Sequence, residues 1–192
     1  ELLRHGDSEG KYWVPAMADF PLRDANGRHE WFWEPDDELN LTSLPELMNI
    51  YEKSVGRNAT LIVGLTPDPN GLIPEGDARR LKEWGEEISH RYGKPLKCTK
   101  GKNKQTLVFP GKQPVNCCII QEDISQGERI REYQIEAKIN GKWQKVCEGK
   151  SVGHKRIERF ADIEATSLRL VVSNSIAAPV IKELNAFYIQ PN

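Results

Sequence analysis

Around one stretch of this sequence, aromatic and charged residues crowd together in a way that suits chemistry on a sugar. Trp13, Phe20, Trp31, Phe32 and Trp33 lie near Arg23, Arg28, His29, Glu30 and Glu34. The apolar C–H face of a pyranose stacks on an indole, while its hydroxyls bond to charged side chains. Breaking a glycosidic bond usually needs two carboxyl groups, one to protonate the leaving oxygen and one to attack or to activate water. Asp19, Glu30, Glu34, Asp36, Asp37 and Glu38 are all at hand. A general acid among them needs a pKa raised toward neutrality, by burial against the indoles or by a neighbouring carboxylate. Glu30 and Glu34, four residues apart among three aromatics, fit that demand; pairing with Arg23 or Arg28 is the competing use for both.

Other chemistries find less support. The chain carries 27 basic and 28 acidic residues, a formal charge of −1, which gives no reason to expect nucleic acid as a partner. No apolar run approaches the roughly 18 residues of a membrane span. His5, His29, His90 and His154 do not cluster with Cys98, Cys117, Cys118 and Cys147, so neither zinc nor another cofactor is implied. The cysteines read as buried thiols, with a disulfide from Cys147 to a neighbouring strand as the alternative. His154 reads as a strand-end residue. Asn40-Leu-Thr42 and Asn58-Ala-Thr60 match the glycosylation triplet, with Asn58 a poor acceptor at the mouth of a strand.

The elements that must position these residues change character near Gly93-Lys-Pro95. Before it, the pattern is β-α-β-α. An apolar run at Tyr12–Asp19 enters a long loop, the kind that is usually functional. Ser43-Leu-Pro-Glu46 reads as a capping box, opening a helix whose buried face is Leu44, Leu47, Met48, Tyr51 and Val55, with Gly56 as its stop. Thr60–Thr66 is continuously apolar, as for a strand buried on both faces of a parallel sheet. A second helix is expected from about Asp77, burying Ala78, Leu81, Trp84, Ile88 and Tyr92, and ending at Gly93. Working loops follow the C-terminal ends of such strands, which selects 17–37 and 66–74.

After Gly93 the apolar residues alternate in short runs: Val115–Glu122, Ile130–Ile139, Trp143–Cys147, Arg156–Phe160, Ser167–Ser173 and Ile181–Ile189. Asn140-Gly141 is a strong hairpin signal, and such strands argue for a β-sandwich. Two parallel strands with two helices leave their edges uncovered. The expectation is therefore an incomplete α/β half, residues 1–95, followed by an all-β half, residues 96–192, with a missing N-terminal region supplying the rest of the first.

Four segments in order carry a resemblance: Gly10-Lys-Tyr-Trp-Val-Pro-Ala16, Arg28-His-Glu-Trp-Phe-Trp-Glu34, Tyr51-Glu-Lys-Ser-Val-Gly-Arg-Asn58 and Leu65-Thr-Pro-Asp-Pro-Asn-Gly-Leu-Ile73. Together they resemble glycoside hydrolase family 29, the retaining α-L-fucosidases. Val115–Ile189, with Gln121-Glu-Asp-Ile124, Gly127-Glu-Arg129 and Gly153-His-Lys-Arg156, is similar to the discoidin-like, galactose-binding type of β-sandwich that ends many of these enzymes. The resemblance implies the last βα units of a (β/α)8-type barrel, a fucosylated glycan as substrate and a periplasmic or secreted location. It puts the aspartate nucleophile on an earlier strand, upstream of Glu1. In one branch of the family the acid/base glutamate directly follows Trp-x-Pro-Ala; here Met17 stands there and cannot transfer a proton. That leaves Glu30 and Glu34 as catalytic candidates, with Asp19 behind them. Trp13, Asp19, Arg23, His29, Trp31 and Trp33 are the candidate sugar contacts, Trp31 matching the tryptophan of the family's Trp-Phe-aromatic motif. Two further readings stand beside the enzyme: a carbohydrate-binding module built on the sandwich, and a fucose-binding descendant that no longer hydrolyses.

Overall fold

The structure is a computed structural model that describes residues 10, 11, 14, 16–25, 31–99 and 105–190. By its contacts the chain divides into two compact units. One holds Pro15–Val55 and Ala59–Gly93; the other holds Gly56–Asn58 and Lys94–Asn192.

The first unit is β1 (Met17–Pro21), α1 (Leu44–Lys53), β2 (Thr60–Gly64) and α2 (Glu75–Tyr92). β1 and β2 pair in parallel, Asp19 opposite Ile62 and Pro21 opposite Gly64. β1 runs past the expected end at Asp19 to Pro21, so Asp19 lies inside the strand rather than at its exit. Ser43 caps α1 by accepting from the Glu46 N–H at 3.4 Å, and the helix closes at Lys53, ahead of Gly56. Leu47, Met48, Phe20, Leu22 and Trp84 form the buried cluster, with Leu44, Tyr51, Leu61, Val63, Leu81, Ile88 and Tyr92 packed around it. Burying each large apolar side chain is worth about 1.5–3 kcal/mol.

Two expectations are corrected here. β2 is not buried on both faces. Leu61 and Val63 face the helices, but Thr60 and Ile62 are exposed, Ile62 by 46%. A two-stranded sheet with both helices on one side leaves its other side open. On α2 it is Asp77, not Ala78, that is buried, because the Arg23 guanidinium reaches it at 2.6 Å.

The second unit is one antiparallel sheet of six strands, β3 (Lys97–Cys98), β4 (Thr106–Glu122), β5 (Ile130–Ile139), β6 (Lys142–Gly149), β7 (Arg156–Ser175) and β8 (Ile181–Phe187). Their order is β3-β8-β4-β7-β5-β6. The unit is consistent with a β-sandwich: both ends of the long β4, Leu107 with Phe109 and Cys118 with Ile120, enter one core with Tyr133, Ile135, Leu168, Leu170 and Leu184. Register breaks in β4 at Val108/Gln113 and Val115/Cys117 bend a strand that would otherwise run flat. β7 joins two strands that the sequence reading separates. Its middle, Ala161-Asp-Ile-Glu164, is charged and mostly exposed, yet Ile163 and Glu164 pair with Val115 and Pro114. Register breaks on either side of Glu132 in β5 accompany a change of face, and Ile130 and Tyr133, three residues apart, both enter the core. Asn140 and Gly141 have φ of 50° and 81° and close the β5–β6 hairpin as expected for a type I′ turn.

Gly56–Asn58 belong to this second unit through β7. The Ile157 N–H donates to the Gly56 carbonyl at 2.9 Å, and Arg57 bridges Arg156. Asn58, at φ 67°, donates to Glu128 at 2.7 Å and accepts from the His154 N–H at 2.6 Å. A Cβ on Gly153 would lie 2.2 Å from its amide nitrogen. Three segments of the resemblance, the ones that contain Asn58, Glu128 and His154, thus meet in one knot of bonds. Beside it Glu122, 1% exposed, accepts from the N–H groups of Arg129, Ile130 and Gly153 at 2.8, 3.2 and 3.4 Å. Its burial outweighs those donors and raises its pKa.

All four cysteines are free. Cys118 joins the core while its neighbour Cys117 does not, as alternation requires. A hydrogen bond with the Cys147 thiol and complete burial push the Cys118 thiol well up.

Candidate functional site

The open face of the β1–β2 sheet carries the residues with free chemistry. Ala18 and Phe20 point to the helices, so Met17 and Asp19 point the other way, beside Thr60 and Ile62 of the neighbouring strand. Met17 is 67% exposed. Asp19 is exposed, and among the described residues no hydrogen bond or ion pair reaches its carboxylate. At the C-terminal end of this face the picture changes. Pro21 is buried, and the six-membered ring of Trp31 lies across Gly64, its register partner. Trp31 keeps 48% of its surface exposed, so an indole and a carboxylate share one face of one sheet.

The other expected site residues divide. Trp33 is half-buried and Glu34 exposed, while Phe32 is 84% exposed. Trp13, His29 and Glu30, with Arg28, lie outside the described residues. Arg23 is 2% exposed, with Asp77 at 2.6 Å and Asp37 at 3.6 Å. Asp37 belongs to the same loop, but the closer partner, Asp77, is 54 residues away, and nothing local announces that pair. Its work is to tie the loop after β1 to the start of α2. Asn40 donates to Asp37 on the same loop, and the Thr42 hydroxyl donates to the Leu22 carbonyl at 2.9 Å. The Asn40 amide is therefore engaged within the loop, as both ends of the Asn58 amide are elsewhere, and neither glycosylation triplet offers a free acceptor.

After β2, the Asp68 carboxylate accepts from the N–H groups of Leu72 and Asn70, each at 2.9 Å. The bond from Leu72 leads the effects that lower its pKa. This folds 66–74 into a turn with Leu72 at its tip, 65% exposed. Thr66, where that turn leaves the strand, buries a hydroxyl with no hydrogen-bond partner among the described residues. The sequence reading missed Gly64 and Thr66. A glycine inside an apolar strand was the available signal, because such a glycine often marks a close approach. Among the described residues, no three or more His, Cys, Asp or Glu gather as a metal site would need, and no helix is long and apolar enough to cross a membrane.

No family model matches the chain. It is 64% identical to a Bacteroides thetaiotaomicron protein of known crystal structure named "putative alpha-L-fucosidase", with a TM-score of 0.92, over 98% of this chain and 44% of that one. A glycoside hydrolase 29 family member from an unknown rumen bacterium is 31% identical, with a TM-score of 0.84, over 100% of this chain and 36% of that one. Alpha-L-fucosidase 1 of Arabidopsis thaliana is 28% identical over 96% of this chain and 42% of its own length. The chain therefore spans less than half the length of each of these proteins. It is homologous to the C-terminal part of α-L-fucosidases of glycoside hydrolase family 29.

Proposed function

We propose that this chain is part of a retaining α-L-fucosidase that hydrolyses terminal α-L-fucosyl linkages of glycans, and that it supplies one wall of the sugar site. The observation that carries the reading is the pairing of Trp31 and Asp19 on the open face of β1 and β2, in a chain homologous to fucosidases throughout. In this reading β1 and β2 are neighbouring strands of a (β/α)8-type barrel, residues 1–95 closing it and residues 96–192 forming a galactose-binding-like sandwich that acts as scaffold. The remaining strands, including the one with the nucleophilic aspartate, come from the rest of the intact enzyme. A periplasmic or secreted location follows from the same family reading.

Retention takes two steps. A carboxylic acid protonates the departing glycosidic oxygen as the aspartate attacks the anomeric carbon. The resulting carboxylate then takes a proton from water as water displaces the aspartate. Glu30 and Glu34 remain the candidates for this acid/base. Trp13, Asp19, His29, Trp31 and Trp33 are the candidate sugar contacts, with Arg23 acting from beneath the loop. In the full-length protein, Glu30→Ala or Glu34→Ala is expected to lower turnover at least about tenfold, with azide restoring part of it as a substitute nucleophile. If neither substitution does so, that assignment is wrong. Met17 favours one other reading, a fucose-binding protein that no longer hydrolyses. Fucose binding by the full-length wild type without release of nitrophenol from a nitrophenyl α-L-fucoside would establish it in place of the enzyme.

A further inference from the structure

β2 ends on a glycine that its backbone does not require. Gly64 pairs with Pro21 in regular strand, and its φ lies outside the left-handed region occupied by Gly71, Gly127, Gly141 and Gly153. Any residue could adopt this conformation, and most would stabilise the strand better than glycine. What excludes them is Trp31. A Cβ at position 64 would stand 2.7 Å from Cζ3 and 3.1 Å from Cε3 of that indole. The ring can rest this low on the sheet only because position 64 has no side chain.

The location of that contact gives it a use. Position 64 is on the face of Ile62, and Ile62 pairs with Asp19. Strands lie about 4.8 Å apart and residues i and i+2 about 6.6 Å apart, so positions 64 and 19 are about 8 Å apart on the diagonal. That is close enough for one sugar ring to touch both the indole and the carboxylate. We propose that Gly64 is a positioning residue of the sugar site, which sets the height of the Trp31 platform relative to Asp19 by leaving it room. The inference rests on the α-L-fucoside reading above and deepens it.

The test compares Gly64→Ala, Trp31→Ala and the double variant in the full-length protein, reading KM and kcat on a nitrophenyl α-L-fucoside together with Tm. Lifting the platform weakens stacking in ground state and transition state alike, so Gly64→Ala is expected to raise KM about fivefold or more while kcat changes less than about twofold. With Trp31 already removed, the same substitution should change KM less than about twofold, because both act through one contact. An unchanged KM in Gly64→Ala, or an equal rise without Trp31, overturns the proposal. Should Gly64→Ala be too unstable to assay, the double variant must regain the Tm of Trp31→Ala; failure to do so locates the clash elsewhere and also overturns it. A wild type that does not hydrolyse the fucoside breaks the activity reading alone, and the same coupling is then read in the rise of Tm with added fucose. A wild type whose Tm fucose does not raise either overturns both.

Discussion

In the six-stranded unit, Val115, Ile120, Ile130, Ile135, Ala137, Leu168 and Leu184 are fully buried. In the βα unit, Met17 and Ile62 stand 67% and 46% exposed on strands that look just as apolar in the sequence. The difference lies in how each sheet is covered. The long β4 and β7 bend and bring both of their ends into one core, so the six-stranded sheet covers its own inner face. β1 and β2 have α1 and α2 on one side, while on the other Met17, Asp19, Thr60 and Ile62 stay exposed and Trp31 lies over Gly64. An apolar strand states that a face seeks cover. It does not state which part of the protein provides it.

The largest expected effect tests the buried Arg23–Asp77 pair of the βα unit. Arg23→Ala leaves Asp77, 0% exposed, without its closest cation, and breaking a buried pair costs about 3–5 kcal/mol. A urea titration that finds less than about 1 kcal/mol would mean that the pair does not hold the loop. Next comes a direct contrast between the two sheets. Leu184→Ala, at 0% exposure in the sandwich core, should cost about 2–5 kcal/mol. Ile62→Ala on the open face should cost less than about 1 kcal/mol in this chain taken alone. In the full-length protein the cost of Ile62→Ala should rise if other strands cover that face; an equal, small cost in both would break the barrel reading.

The smallest effect is a pH dependence. Glu122 has its folded-state pKa raised above the ordinary glutamate value, with burial as the first cause and the nearby Glu128 carboxylate adding to it. A raised carboxyl pKa favours the folded state while the group is protonated. Its stabilising contribution is complete below the unfolded pKa of about 4.3 and is lost as pH rises through the folded value. Glu122→Gln keeps an oxygen for the N–H groups of Arg129 and Ile130, sets an amide NH2 against the Gly153 N–H, and removes the titration. Across the range just above pH 4.3, Tm should therefore fall less with rising pH in the variant than in the wild type. Equal slopes would show that the donors, not burial, govern Glu122.

Much of the architecture was legible because it rests on local signals. Ser43 before an amphipathic run, Asn140-Gly141 between two alternating runs, and Gly93 at a helix end each act within a few residues of themselves. β7 was read as two strands because Asp162 and Glu164 look like turn residues when their cross-strand partners are unseen. That β1 runs on past Asp19 to Pro21 was hidden, because a charged residue and a proline look like the end of a strand. In the site, the cluster of indoles and carboxylates was visible as composition. Its division into exposed Trp31 and Asp19 and buried Arg23 was not, since strand direction and a partner 54 residues away decide it.

By itself the sequence determined the order of elements, the change from helical to alternating periodicity near Gly93, and the presence of aromatic and acidic groups in one stretch. These depend on spacing along the chain, where side-chain periods of 3.6 and 2 leave their mark. Only the tertiary structure decided which face of β2 stays open, that Asp77 rather than Ala78 is buried, and that Gly64 is the floor beneath Trp31. Those outcomes depend on what comes close in space from far away in sequence, and packing, unlike periodicity, leaves no local trace.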